Sequence, residues 1–287
     1  MKIIPALSEI FDQYDAFIID VWGVIHNGVR PYQGALEVIG NLKSLNKKIV
    51  LLTNSPMRAH KVEAQLEYQY NLLKDYYIGV MSSGEATFRF FEAQTKTMKL
   101  YVFSARPKFV DTEALSQIPY IEIVEDIKLA SHALIAGTGY EKADVTDDLG
   151  LLEQGARAGV QLICSNPDLV VQVGDGLYPC PGSWALEYEK FGGDVLYFGK
   201  PHAPVYETCF DMLGNPPKDK TLAIGDSLHT DIAGAHNFAI DSLFNIVGIH
   251  TEELSCEISG KLDTVKLENL MKDQEHKPKW VMEGLRW

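Results

Sequence analysis

The chain has 287 residues and an ordinary globular composition, with 46% hydrophobic and 23% charged residues, which excludes disordered and fibrous proteins. At roughly 150 residues per domain, this length allows one large domain or two of medium size. The 39 acidic and 26 basic residues give a net charge of −13. Proteins that bind nucleic acid through its phosphates usually carry a basic surplus, so we expect no nucleic-acid partner.

No apolar run approaches the roughly 20 residues that span a bilayer, and Glu9 and Asp12 interrupt the N-terminus before a signal-peptide core could develop. We therefore expect a cytoplasmic protein with no membrane partner. The four cysteines form no C-x-x-C pair, which argues against a zinc knuckle or a dithiol motif. We expect buried free thiols at Cys164, Cys180, Cys209 and Cys256.

Short apolar strands alternate with amphipathic helices along most of the chain. Strands are predicted at residues 16–21, 48–53, 99–103, 132–136, 160–164, 195–198, 221–224 and 243–246, and helices at 7–14, 34–45, 58–73, 203–213 and 231–238. Nearly continuous apolar strands between helices indicate a parallel sheet that is covered on both faces. The predicted fold class is therefore α/β, with a doubly wound parallel sheet.

Polar or small residues follow four of the predicted strands, at the edge where sheets of this kind bind ligands. They are Asp20, Thr53 with Asn54, Gly199 with Lys200, and Gly225 with Asp226. Because the carboxyl ends of parallel strands share one edge, we expect these residues to converge on a site for phosphate and metal chemistry.

Three carboxylates at or near these strand ends could take part in this chemistry, and two of them also have a structural interpretation. Asp20 precedes a turn at Gly23 and could attack phosphorus as a nucleophile, or it could cap the turn. Asp226 is placed to bind Mg²⁺, which prefers hard oxygen ligands. Asp231, at the start of the next predicted helix, could orient a metal-bound water, cap that helix, or do both.

Hydroxyl, amide and cationic groups nearby could hold a phosphoryl group. Thr53, Asn54 and Ser55 stand at a helix entrance, where hydroxyls and backbone N–H groups bind phosphate, but all three are also preferred N-caps. Arg58, one turn into that helix, could assist or be solvated. Lys200 could neutralise the nucleophile and the transferred group, or it could lie at the surface.

The four motifs in this order, Asp-x-x-Gly, Thr-Asn, Lys-Pro and Gly-Asp-x-x-x-x-Asp, resemble those of the haloacid dehalogenase (HAD) superfamily. The long insertion between the second and third motifs is similar to that of subfamily IIA, the NagD-like or nitrophenylphosphatase-like group, which carries an α/β cap there. Residues 82–87, 165–168 and 181–183 also fit this group. The resemblance implies a Rossmann-like core of residues 1–80 and 184–287 and a cap of residues 81–183.

The resemblance also implies a magnesium-dependent phosphatase or phosphotransferase that acts on a small phosphorylated substrate through phospho-Asp20. The implied metal ligands are Asp20, the backbone carbonyl of Trp22 and Asp226, with Asp231 in support, and the implied phosphoryl-binding residues are Thr53, Asn54 and Lys200. The cap would choose the substrate, and its Asn166 and Asp168 either face the site or form a turn. A homodimer formed through the cap is a further expectation from the group.

The first motif departs from the family pattern at Trp22, where the family has a second Asp that serves as general acid and base. An indole can donate an N–H but has no usable acid or base function. Losing a general acid would impair hydrolysis of alkyl phosphates more than that of acyl or aryl phosphates, whose leaving groups depart as stable anions. His26 on the same loop could substitute or be merely solvated, and the same holds for His202 and His229.

Three other classes of function are weighed against the phosphatase. The first is a phosphate-ligand binding or regulatory protein on the same fold, in which turnover was lost with the acid. A dinucleotide-dependent oxidoreductase lacks its G-x-G-x-x-G loop, since residues 23–28 read GVIHNG. A serine hydrolase lacks its G-x-S-x-G elbow.

Overall fold

The computed structural model describes residues 1–103, 110, 112–137, 148–174, 176–255 and 262–287. The strands are β1 (Lys2–Ile3), β2 (Ala16–Asp20), β3 (Lys48–Thr53), β4 (Gly79–Ser82), β5 (Met98–Val102), β6 (Ile121–Val124), β7 (His132–Ile135), β8 (Gln161–Cys164), β9 (Val170–Val173), β10 (Gly176–Pro179), β11 (Val195–Tyr197), β12 (Thr221–Gly225), β13 (Asp241–Asn245) and β14 (Trp280–Met282). The α-helices are α1 (Ala35–Ser44), α2 (Ala59–Tyr70), α3 (Ser83–Glu92), α4 (Thr112–Ser116), α5 (Leu149–Arg157), α6 (Pro181–Lys190), α7 (Ala203–Leu213), α8 (Ala233–Asn237), α9 (Thr251–Leu254) and α10 (Thr264–Lys272). Within these described ranges, no helix combines the length and the apolar character needed to cross a membrane.

The core domain is built on a parallel sheet of seven strands in the order β1-β14-β13-β12-β2-β3-β4. Side chains of the central strand β2 alternate between the two faces, as strand geometry requires. Phe17 and Ile19 pack with α1 and α2, while Ala16 and Ile18 pack with α7. A sheet that is buried on both faces explains the continuous apolar sequence of its strands, and the doubly wound α/β prediction is confirmed.

The cap is a second parallel sheet, of five strands in the order β11-β8-β7-β5-β6. Helices α5 and α6 cover one face of this sheet, where Trp184 and Tyr188 are fully buried. Phe91 of α3 and Leu115 of α4 pack on the other face. The strands β9 and β10 form an antiparallel pair apart from both large sheets.

The return from cap to core lies later in the chain than the predicted boundary at residue 184. Helix α6 packs on the cap sheet, and β11 pairs with β8 of the cap through Val195 and Leu162. The predicted core strand at residues 195–198 is therefore an edge strand of the cap. A strand as short as β11 carries too little pattern to indicate which of two parallel sheets it joins.

Three further predictions need correction or restriction. The predicted helix at residues 7–14 consists of two 3-10 turns, Leu7–Glu9 and Phe11–Gln13, because the backbone of Ile10 leaves the helical region with a φ of −134°. The helix predicted at 231–238 begins with a π-helical turn, Leu228–Ile232. The cysteine prediction holds for the three described thiols, which are free and buried, and Cys256 lies outside the described residues.

Candidate active site

A cleft of about 620 Å³ separates the core from the cap, and both parallel sheets direct carboxyl ends of strands toward it. From the core, the ends of β2, β3 and β12 contribute Asp20, Thr53 and Asp226. From the cap, the segments that follow β7 and β8 line the opposite wall. This volume suits a small molecule, and its placement follows the rule that ligands bind beyond the carboxyl ends of parallel strands.

A lysine and two carboxylates form the centre of the cleft floor. The Nζ of Lys200 donates to Oδ1 of Asp20 at 2.5 Å and to Oδ1 of Asp231 at 2.8 Å. All three side chains are at most 7% exposed. Lys200 follows a cap strand, yet it reaches this floor because the chain crosses back to the core immediately after β11.

The electrostatics of the floor are dominated by burial and by an excess of negative charge. Burial raises the pKa of Asp20 and that of Asp226 well above the ordinary value, because loss of water disfavours the carboxylate. Burial by itself would lower the pKa of Lys200, but the carboxylates of Asp20 and Asp231 raise it well above its ordinary value. Three carboxylates around one lysine would carry unbalanced negative charge when ionised, so the cluster favours uptake of a proton or of a cation.

Oxygen atoms of Asp20, Asp226 and Asp231 lie within 4.8 Å of one another, and all three residues are buried. The loop after β2 approaches the Asp226 side chain closely, since a Cβ at Gly23, whose φ is +93°, would lie 2.1 Å from Oδ2 of Asp226. The same oxygen accepts a hydrogen bond from the backbone N–H of Ile249 at 3.0 Å. A compact set of hard oxygen atoms with surplus negative charge fits a divalent cation such as Mg²⁺.

Thr53, Asn54 and Ser55 also line the cleft, where the chain leaves β3. The side chain of Asn54 is held by protein groups, since its Oδ1 accepts the backbone N–H of Lys200 at 2.7 Å. Its Nδ2 donates to Oδ1 of Asp168 at 2.9 Å. Asn54 therefore connects the lysine segment, the end of β3 and the cap.

The cap residues Asn166 and Asp168 combine the two interpretations that the sequence left open. Oδ1 of Asn166 accepts the backbone N–H of Asp168 at 3.1 Å, which is an Asx turn. Both residues also line the cleft. Burial raises the pKa of Asp168, against the opposing effects of Lys200 and Asn54.

Arg58 lies apart from this cleft and contacts the helix that leads into the cap. Its Nε donates to Oε2 of Glu85 on α3 at 2.7 Å, and its guanidinium lies 3.9 Å from the ring centroid of Phe88. The structure therefore does not bring Arg58 to the cleft where the sequence analysis expected it to bind phosphate. A charged partner and an aromatic face on a neighbouring helix hold this arginine away from the cleft.

Neither Trp22 nor His26 offers an acid to the cleft. The indole Nε1 of Trp22 donates to the backbone carbonyl of Gln172 in the cap at 2.5 Å. His26 is 2% exposed and stacks on Tyr70, and burial lowers its pKa to about 3. His202 and His229 do line the cleft, although no hydrogen bond ties them to the carboxylate cluster in the described part of the chain.

Sequence reasoning missed Asn245, a buried polar residue behind the carboxylate cluster. Its Nδ2 donates to the carbonyls of Gly23 and Val247 at 3.2 and 2.7 Å, so it joins the loop after β2 to the loop after β13. The missed signal was its position as the last residue of β13. The predicted strand ran to residue 246 and so placed Asn245 inside the strand, where the strand-end rule does not point.

Comparison with known proteins agrees with this fold and site. A family model described as haloacid dehalogenase-like hydrolase matches residues 17–113, and a second model, described as HAD-hydrolase-like, matches residues 197–286. The chain belongs to the haloacid dehalogenase-like hydrolases, and its inserted cap agrees with the subfamily IIA group that the sequence resembles. The two matches flank most of the cap, as expected for an insertion into a conserved core.

Individual relatives extend the likeness over nearly the whole chain. The 5′-nucleotidase YutF of Bacillus subtilis is 23% identical and the acid sugar phosphatase of Staphylococcus aureus is 24% identical, each over 84% of this chain and 90% of the relative. A solved haloacid dehalogenase-like hydrolase from Brucella suis is 28% identical with a TM-score of 0.81, covering 98% of this chain and 99% of its own.

Proposed function

We propose that the protein is a magnesium-dependent phosphatase or phosphotransferase that acts on a small phosphorylated metabolite through a phospho-Asp20 intermediate. The observation that carries the proposal is the buried lysine between Asp20 and Asp231, beside Asp226, at the floor of the cleft. Such a cluster is costly to bury for structural reasons alone. Two of the relatives compared above are named as a 5′-nucleotidase and an acid sugar phosphatase, which supports the same class.

In the proposed reaction a carboxylate oxygen of Asp20 attacks phosphorus, and the bond from phosphorus to the leaving oxygen breaks with its electron pair on that oxygen. Water then attacks the aspartyl phosphate, which releases inorganic phosphate and restores Asp20. Lys200 balances charge on the nucleophile and on the transferred group. The hydroxyl of Thr53 and the backbone N–H groups that follow it would hold phosphoryl oxygens.

The proposed metal ligands are Asp20, Asp226 and the backbone carbonyl of Trp22, with Asp231 supporting the site from outside the direct ligands. Mg²⁺ bound there would supply positive charge to the phosphoryl oxygens. The surplus negative charge of the cluster supports this assignment, because a divalent cation would balance it.

The leaving group of the proposed substrate would meet the cap wall. Leu169, Val170 and Leu186 line the cleft and remain 39–42% exposed. Trp22 cannot protonate a leaving oxygen. We therefore infer a preference for acyl and aryl phosphates, whose leaving groups need no proton, over alkyl phosphates.

The test is hydrolysis of acetyl phosphate and para-nitrophenyl phosphate with and without Mg²⁺. We expect metal-dependent phosphate release, and we expect Asp20→Asn to reduce kcat by roughly 10³-fold or more because the nucleophile is removed. Asp219→Asn, an exposed position before β12, is the matched control and should retain activity. Equal rates for the two variants would contradict the role of Asp20.

A phosphate-ligand binding or regulatory protein is the second candidate. It is favoured by one observation, namely that the residue in the acid position is an indole whose N–H is already engaged by Gln172. Calorimetry that detects binding of Mg²⁺ and inorganic phosphate, with no phosphate release from either substrate, would select this candidate over the enzyme.

A further inference from the structure

Trp22 joins the core to the cap hairpin, which we define as β9 with β10. Its Nε1 donates to the carbonyl oxygen of Gln172 at 2.5 Å. A second bond lies beside it, since the backbone N–H of Gly174 donates to the carbonyl of Asn27 at 3.1 Å. Both bonds connect the loop that follows Asp20 to the end of β9.

The cap hairpin has little other support from strand pairing. In the described part of the chain its two strands pair only with each other, and an isolated two-stranded hairpin is at best marginally stable in water. Val170 and Val171 of this hairpin line the cleft, while Leu177 is 56% exposed. The position of this part of the cleft wall therefore depends on its contacts with the core.

We call the hydrogen bond from Trp22 to Gln172 the tether. On the core side of the tether, neighbouring residues hold the Trp22 ring firmly. The Trp22 ring meets the His26 ring edge-on with centroids 4.9 Å apart, and His26 stacks on Tyr70 of α2 at 4.2 Å. The Nδ1 of His26 accepts the backbone N–H of Gly28 at 2.9 Å. A Cβ at Gly28, whose φ is +83°, would lie 2.5 Å from the indole, so the loop closes tightly around the ring.

We propose that Trp22 is a positioning residue that holds the cap hairpin in place and thereby sets the wall on which the leaving group rests. The side chain in the family's acid position then acts through the hairpin. The tether is independent of the proposed function, whereas its effect on substrates rests on that function.

Hydrogen exchange of the full-length protein tests the tether without any substrate. We expect Trp22→Phe, which keeps a ring but removes the donor, to speed amide exchange of residues 169–180 by about 3- to 10-fold, the range for loss of one hydrogen bond. Strand β8 should be unaffected. Trp287→Phe, which packs on Phe11 in the core, is the matched control. Unchanged hairpin exchange, or equal acceleration across both domains, would overturn the tether.

Two substrates of different size test the effect on the wall. Trp22→Phe should raise KM for 1-naphthyl phosphate several-fold more than KM for acetyl phosphate, because an acetyl group is too small to rest on the hairpin. Equal changes in both KM values would overturn the positioning role. If the wild-type protein hydrolyses neither substrate, the proposed function fails while the exchange result still decides the tether.

A shape-matched replacement separates the hydrogen bond from the ring. Introducing β-(3-benzothienyl)alanine at position 22 keeps a fused aromatic ring of similar size and replaces the N–H with sulfur. We expect it to speed hairpin exchange as Trp22→Phe does. Exchange equal to that of the wild type would show that ring packing alone holds the hairpin, and it would overturn the role of the N–H.

Discussion

Lys200 is the only lysine or arginine among the described residues that line the cleft. It contacts Asp20 and Asp231 directly, and Asp168 and Asp226 lie in the same cleft. Removing one partner from a buried ion pair usually destabilises a protein by about 3–5 kcal/mol, because the remaining charge is left without compensation. Four carboxyl groups face a single lysine in this cleft, and the cation that we propose would compensate the charge that the lysine leaves unbalanced.

In the proposed reaction, the residue at position 22 would decide whether a leaving group can be protonated. We expect Trp22→Asp to hydrolyse an alkyl phosphate about 10²-fold faster or more than Trp22→Asn does, which is the lower end of the usual contribution of a general acid. Both variants lack the indole tether, so their ratio isolates the acid. The measurement is kcat/KM for butyl phosphate, and a ratio near one would contradict this assignment.

His26 makes the stability of the core depend on pH. Burial lowers its pKa to about 3, so between pH 6.5 and 3 the unfolded chain binds a proton that the folded protein does not. The free energy of unfolding is not reduced by this group above pH 6.5. It falls as the pH drops from 6.5 toward 3, and the loss is about 2 kcal/mol at pH 5.

Urea unfolding of the metal-free protein at pH 8 and pH 5 measures the effect of His26. The loss of unfolding free energy between these two pH values should be about 2 kcal/mol smaller in His26→Asn than in the wild type. An equal loss in both proteins would show that His26 does not remain neutral in the fold.

At the scale of elements, the contact between α2 and α3 connects the core to the entrance of the cap. Arg58, which precedes α2, pairs with Glu85 of α3, and both side chains are largely buried, at 25% and 11% exposed. Arg89 also pairs with Glu85 but is 56% exposed. The two arginines share one carboxylate and differ in burial, so they form a matched pair for mutation.

We expect Arg58→Ala to lower the free energy of unfolding by about 1–2 kcal/mol, because a partly buried charged hydrogen bond and a ring contact are lost. Arg89→Ala should lower the free energy of unfolding by less, because exposed ion pairs contribute little to stability. KM for the phosphate ester should not change in either variant. A raised KM in Arg58→Ala, with stability unchanged, would instead indicate that Arg58 binds the phosphate.

Element assignment from sequence succeeded where the apolar pattern was long. Helix α7 begins and ends as predicted, and β2 and β3 lie within or at the predicted bounds. The strands that were missed are mostly short, such as β1 with two residues and β14 with three. Strands of this length carry little periodic signal, so only pairing with neighbours defines them.

For the whole molecule, a bound cation should stabilise the fold. Mg²⁺ at about 100 times its Kd should add about 3 kcal/mol to the free energy of unfolding, seen as a rise in Tm of several degrees. Asp226→Asn should abolish most of this rise, because a charged ligand is lost, while Asp219→Asn should keep it. A Tm that Mg²⁺ leaves unchanged in the wild-type protein would contradict the metal site.

The sequence by itself determined the class of fold, the strand ends that carry polar residues, and the set of Asp20, Lys200 and Asp226. These follow from local pattern, because burial on both faces of a sheet leaves a continuous apolar signature and the family motifs are short. Only the tertiary structure decided that β11 belongs to the cap, that Arg58 pairs with Glu85, and that the Trp22 indole bonds to the cap. Each of these depends on a partner distant in the chain, and no local pattern encodes such a contact.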